Sequence, residues 1–132
     1  MTAPLDHVTI AATDLTRSVG FYEAALTALG LVRLAELVDE EEDDAELEAA
    51  GWGEPDGRVL VWVVTSEVAT CGVHVGLRAA TREAVEAFHA AALDAGGAEH
   101  SAPRRWPLYR RGEFNAIVRD PQGNLVEAVA PE

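Results

Sequence analysis

Three side chains in this sequence have the types and settings that metal chemistry uses. His7 sits in the alternating run Leu5-Asp6-His7-Val8-Thr9-Ile10, and His74 sits in Gly72-Val73-His74-Val75-Gly76-Leu77. Glu127 interrupts the apolar run Leu125-Val126-Glu127-Ala128-Val129, where a carboxylate is seldom buried without a partner. Two imidazoles and one carboxylate are the ligand set of the facial triad, which leaves open positions on an Fe(II)-type ion. Taken singly, each residue has a simpler role. Either histidine could be a hydrogen-bonded core residue, and Glu127 could pair with an arginine such as Arg78.

A repeat ties the three together. Laid over itself at an offset of 67 residues (74 − 7), the chain places His7 on His74, Phe21 on Phe88, Leu26 on Leu93 and Gly30 on Gly97. Asp14, suited to capping a helix, falls on Thr81, which can do the same. Matches of this kind at one offset argue for two copies of one unit. In each copy a short alternating strand leads into a helix. Val19, Tyr22, Leu26 and Leu29 recur at helical spacing before Gly30, and Val85, Phe88 and Leu93 do so before Gly96-Gly97.

Three strands are expected after each helix. In the first half these are residues 31–38, a weak one near 45–50, and 58–65; in the second, 98–102, 113–119 and 124–129. A long loop over Pro103–Gly112 interrupts the second half, and Asp120-Pro121-Gln122-Gly123 is a strong turn between its last two strands. The expected fold is α+β: one domain of two βαβββ modules, about residues 1–67 and 72–132. Helices cover one side of two twisted sheets, whose other faces form a half-open, barrel-like cup.

Composition narrows the partners. Ten basic against 23 acidic residues give a formal net charge of −13, a field that repels phosphate backbones and argues against nucleic acid. The arginines Arg104, Arg105, Arg110 and Arg111 cluster, and the acidic run Asp39 to Glu48 reads as a solvated loop or as a lid for a cationic ligand. One cysteine, Cys71, excludes an internal disulfide and a cysteine-based zinc cluster. No apolar stretch is long enough for a membrane span, and the opening Met1–Asp6 lacks a signal-peptide pattern, so a cytoplasmic location is expected.

The opening His7-Val8-Thr9-Ile10, Asp14-Leu15 and Phe21-Tyr22-Glu23-Ala24-Ala25-Leu26 resembles that of vicinal oxygen chelate proteins, the group of glyoxalases, extradiol dioxygenases and bleomycin-resistance proteins. The ending Asp120-Pro121-Gln122-Gly123-Asn124-Leu125-Val126-Glu127 resembles their closing Asp-Pro-x-Gly turn and metal-binding glutamate. The resemblance implies a divalent ion of the iron, manganese, nickel or zinc group, held by His7, His74 and Glu127, with Glu127 also the candidate catalytic residue. It implies a small-molecule substrate with two neighbouring oxygens, a homodimer, and isomerisation, epimerisation or oxygenation as the reaction. The alternative within the same group is a metal-free bleomycin-resistance-type protein that sequesters a cationic ligand in a dimer cleft.

One position departs from the glyoxalase I pattern, which uses a further glutamate on the last strand of module one. Val61-Trp62-Val63 best matches Val126-Glu127-Ala128, at an offset of 65, so Trp62 stands there. An indole at that point is a candidate pocket wall for a planar substrate, and core packing is its simpler role. Tyr109 and Arg110, with Trp106, are candidates to close the mouth of the pocket. Trp52 reads as a pocket wall or a dimer contact, and His89 and His100 as surface residues.

Overall fold

A computed structural model describes residues 2–39, 46–105 and 113–131 of the chain. The element order is β1 (Val8–Ala12), α1 (Leu15–Ala28), β2 (Val32–Val38), β3 (Leu47–Gly53), β4 (Val59–Thr65), then β5 (His74–Arg78), α2 (Arg82–Asp94), β6 (Ala98–Arg105), β7 (Phe114–Arg119) and β8 (Leu125–Ala130). The strands form two four-stranded mixed sheets in the matching orders β1-β4-β3-β2 and β5-β8-β7-β6. This is the expected pair of βαβββ units, and the sheets do not close into a barrel. Within the candidate acidic lid, Asp39 to Glu48, residues 40–45 lie outside the described residues.

The repeat is visible in the way each helix begins and ends. Asp14 accepts a hydrogen bond from the Arg17 amide at 3.1 Å, and Thr81 accepts one from the Ala84 amide at 3.1 Å, so both caps act as their spacing predicts. At the other end the expectation needs a correction. The left-handed glycine after α1 is Gly30 (φ 87°), and its counterpart after α2 is Gly96 (φ 97°), not Gly97. The second helix is one residue shorter, 13 against 14, and the left-handed glycine follows two residues after the end of each.

Gly97 has a different reason to be glycine. A Cβ there would lie 2.6 Å from Phe21 Cε2 and 2.8 Å from the Ala92 carbonyl, where α1 and α2 pack together. Gly97→Ala is expected to destabilise the fold by about 1–3 kcal/mol through overpacking. A denaturant midpoint unmoved by the substitution would contradict that close approach.

The helices cover one face of each sheet. Phe21, Leu26, Phe88 and Val85 are fully buried there against alternate strand residues such as Ile10, Val63, Val118 and Val126. Phe21 and Tyr22 meet edge to face, with ring centres 5.0 Å apart. The weak third element is a full strand, shifted from the expected 45–50 to Leu47–Gly53. Trp52, buried completely, anchors it: its indole N–H donates to Glu23 and the Arg33 guanidinium lies 5.5 Å over its ring. Trp52 is therefore a core residue of a single chain, neither pocket wall nor dimer contact. Strand β6 also runs further than expected, to Arg105, taking in Pro103. It is an edge strand with register shifts between Ser101 and Arg104, where a residue lacking an N–H is tolerated.

A buried polar cluster joins the two modules. Asp120 accepts from the Tyr22 hydroxyl at 2.6 Å, from the Gln122 and Asn124 amides at 2.8 and 2.9 Å, and from Asn124 Nδ2 at 2.9 Å. Burial, and then the neighbouring Asp120 carboxylate, push the Tyr22 phenol well above its ordinary range, so it remains a donor. Asn124 in turn accepts from the Val73 amide and donates to the Thr70 carbonyl, tying the segment before β5 to the start of β8.

Candidate functional site

The two sheets place equivalent residues by the same register. In the first, β1 runs parallel to β4 with Val8 opposite Val61 and Thr9 opposite Trp62. In the second, β5 runs parallel to β8 with Val75 opposite Val126 and Gly76 opposite Glu127. The pairing puts Trp62 where Glu127 stands in the other module. Each belongs to the sheet face opposite the helices, because Val61, Val63, Val126 and Ala128 on either side of them are buried in the core.

His74 and Glu127 come together. His74 Nε2 lies 2.8 Å from Glu127 Oε1, and Asn115 on β7 donates through Nδ2 to Glu127 Oε2 at 2.9 Å. Glu127 is largely buried, its side chain 18% exposed, whereas His74 is 47% exposed and open to the adjoining space. The partners of Glu127 are thus His74 and Asn115 rather than Arg78. The pair opens on a cavity of about 370 Å³, whose walls include His100, Ser101, Arg104 and Ile117 from β6 and β7.

His7 is elsewhere. It falls one residue before β1, its Nδ1 lies 2.8 Å from Asp6 Oδ2, and its side chain is 46% exposed. The imidazole beside Asp6, more than the nearby Arg58 guanidinium, holds that carboxyl below the usual range. His7 is not part of the wall of the His74–Glu127 cavity, and among the described residues no three histidine, cysteine or carboxylate side chains cluster as a metal shell would. The three expected ligands are therefore divided, with two on the second sheet and one at the edge of the first.

The two that meet do fit a metal ion as part of a shell. Ligands about 2.1 Å from an ion and at right angles are about 3.0 Å apart, close to the observed separation of the nitrogen and oxygen. Trp62, expected as a pocket wall, does not line this cavity; its ring lies over its strand partner Gly51, where a Cβ would come 3.0 Å from the indole Cε3. Gly51 leaves room for that ring.

A model of the glyoxalase/bleomycin resistance protein/dioxygenase superfamily matches residues 4–128. The chain belongs to this superfamily. Solved structures of the same fold include a glyoxalase/bleomycin resistance protein from Albidiferax ferrireducens T118, 28% identical, with a TM-score of 0.74 over 96% of this chain and 98% of that one. A V278E glyoxalase I mutant from Zea mays is 24% identical, with a TM-score of 0.65 over 96% of this chain but 46% of that one, so the chain spans about half its length. A glyoxalase/bleomycin resistance protein/dioxygenase family enzyme from Burkholderia phytofirmans PsJN is 17% identical, with a TM-score of 0.65 over 98% and 100%. Comparison with curated proteins gives no match.

Within the superfamily fold, the remaining candidates fall into place unevenly. Tyr109 and Arg110, with Trp106, lie outside the described residues. His89, expected at the surface, is partly buried, with its side chain 16% exposed and Nε2 2.7 Å from Glu99 Oε1. His100 is exposed as expected, but it also lines the cavity. Asn115 was not singled out from the sequence, although the signal existed: it interrupts the apolar run Phe114-Asn115-Ala116-Ile117-Val118 just as Glu127 interrupts its own strand. Among the described residues no helix is long and apolar enough to cross a membrane.

Proposed function

We propose that the protein is a divalent-metal-dependent enzyme acting on a small molecule with two neighbouring oxygen atoms, and that its site forms between two copies of the chain. The observation that carries this reading is the contact of His74 Nε2 with Glu127 Oε1, a nitrogen and an oxygen donor side by side at a cavity wall. His7 sits at the matching position of the other sheet and is not among the residues that line this cavity. A second copy that lays its first sheet over this cavity would bring its own His7 and Trp62 opposite the pair. A divalent ion held there would supply Lewis-acid stabilisation of negative charge on paired oxygens. Glu127 and His74 would hold it, Trp62 would give a flat apolar wall, and His100 and Ser101 would offer polar contacts to the substrate. Both sheets would shield the site from bulk water.

The first sheet has a face to offer. Leu37, 55% exposed, lies on the same side as Trp62, and Leu34 and Val38 nearby are 37% and 41% exposed. Apolar side chains left in water on a sheet face favour burial against a partner. A homodimer is expected at micromolar concentration by light scattering. A monomer that still binds metal would contradict the shared site.

The metal itself is tested by elemental analysis after loading and desalting. About one divalent ion per chain is expected, with Glu127→Ala lowering affinity at least tenfold, since the loss of an anionic ligand should exceed the roughly 10-fold to 100-fold effect of losing a supporting contact. Unchanged metal content in a His7→Ala, His74→Ala double variant would sink the metal reading. A second reading, sequestration of a cationic ligand without metal, draws on the net charge of −13. It predicts salt-sensitive binding of an organic cation by metal-free protein, unaffected by Glu127→Ala.

A further inference from the structure

Asn115 occupies a position that is hard to explain by packing. It is 9% exposed, its Nδ2 donates to Glu127 Oε2 at 2.9 Å, and its Oδ1 is buried without a hydrogen-bond partner among the described residues. Reversing the amide would not relieve this, because an oxygen facing the carboxylate would be repelled by it. A buried acceptor left unsatisfied is destabilising, and a leucine of similar shape would remove that penalty. For stability alone, therefore, an apolar residue would serve better at this point of β7. At the wall of the cavity that Asn115 also lines, its amide donates to Glu127.

The register explains why it reaches. Ile117 stands opposite Glu127 and Asn115 opposite Val129, so Asn115 is the diagonal neighbour of Glu127 on one sheet face. The carboxylate is thereby held at both ends, with Oε2 by the amide of Asn115 and Oε1 facing His74. A carboxylate fixed through one oxygen presents the other in a single direction. Free rotation of the Glu127 side chain would scatter that direction.

We propose that Asn115 is a positioning residue, which fixes Glu127 through Oε2 so that Oε1 stays beside His74 as a preoriented pair of metal donors. The inference rests on the metal-dependent reading above and adds to it a residue that acts on the ion through Glu127. Supporting contacts of this kind are generally worth about 10-fold to 100-fold in metal affinity.

The test compares the full-length wild-type protein with Asn115→Leu, using cobalt(II) as the probe. Cobalt affinity and the visible cobalt spectrum are measured beside the melting midpoint. The expected result is a melting midpoint unchanged or raised, cobalt affinity lowered at least tenfold, and a spectrum altered by the released carboxylate. Asn115→Ser, too short to reach Glu127, should weaken cobalt in the same way and serves if the leucine variant does not fold. Equal cobalt affinity and spectrum in wild type and variant would overturn the positioning role while leaving the metal reading intact. Wild-type protein that takes up no cobalt would overturn the metal reading instead. The positioning role is then decided by crystal structures of the metal-free variants. A Glu127 carboxylate turned away from His74 supports it, and one that keeps its contact with His74 overturns it.

Discussion

Asp120→Ala is expected to lower folding stability by about 3–5 kcal/mol, more than any single apolar truncation at the sheet margins. The reason is the number of donors it would strand. The Tyr22 hydroxyl, the Asn124 side-chain amide and the backbone amides of Gln122 and Asn124 all converge on this carboxylate, and Asn124 is itself fully buried. Each donor left in the interior without an acceptor carries a desolvation penalty of about 1–3 kcal/mol, partly relieved where water can enter. For a chain of this length the melting midpoint should fall by about 10–20 °C. Tyr22→Phe is expected to be milder, about 1 kcal/mol, since it removes one donor and strands none. Thermal unfolding of the two variants checks the pair, and an Asp120→Ala midpoint within a few degrees of wild type would show that the cluster is not a keystone. The consequence for the site is indirect. The cluster fixes Val73 and Leu125, the residues just before and opposite His74, and so sets the height of His74 against Glu127.

The second large effect concerns Trp62 and the choice of reaction. In the glyoxalase I pattern a second carboxylate, on the last strand of the first module, completes the shell or moves the proton between adjacent carbons. The register places Trp62 there, and an indole is a donor only, unable to act as base or ligand. Isomerisation of a methylglyoxal–glutathione hemithioacetal should therefore be slower by roughly 10²–10⁴-fold than a site with a positioned base achieves. The measurement is a hemithioacetal assay on protein loaded separately with nickel, zinc and iron. Turnover at ordinary rates of about 1–10³ s⁻¹ would contradict the role given to Trp62. A visible absorption band on adding a catechol to the iron-loaded protein would agree with a three-ligand site that leaves positions open for a bidentate ligand.

Much of the fold was legible because it is repeated. His7 and His74, Asp14 and Thr81, Phe21 and Phe88 mark the same points of two units, and a repeat lets each half vouch for the other. Strand ends were less legible. Gly51, Trp52 and Gly53 fell beyond the expected end of the weak strand, yet Trp52 is held in it by burial and by Glu23 and Arg33, contacts distant in sequence. Pro103 looked like a strand breaker, yet an edge strand has no ladder on one side to break. The site was legible in residue type and only partly in assembly. Alternation predicts which face a side chain takes, and it placed His74 beside Glu127 correctly. It carries no information on how two sheets are set against each other, so it could not say that His7 stands apart. Asn115 escaped notice because its importance comes from a diagonal contact fixed by the turn at Asp120–Gly123.

The division of ligands between two copies can be tested by complementation. His7→Ala and Glu127→Ala homodimers, each defective at both sites, are mixed under conditions that exchange subunits, and tightly bound metal is measured on the purified heterodimer. If each site takes His7 from one copy and His74 with Glu127 from the other, the heterodimer contains one doubly damaged site and one intact site. It should bind about one ion per dimer with wild-type affinity, although neither parent does. If each site lies within one chain, both sites of the heterodimer remain defective. A heterodimer that binds no more metal than its parents would contradict the shared site.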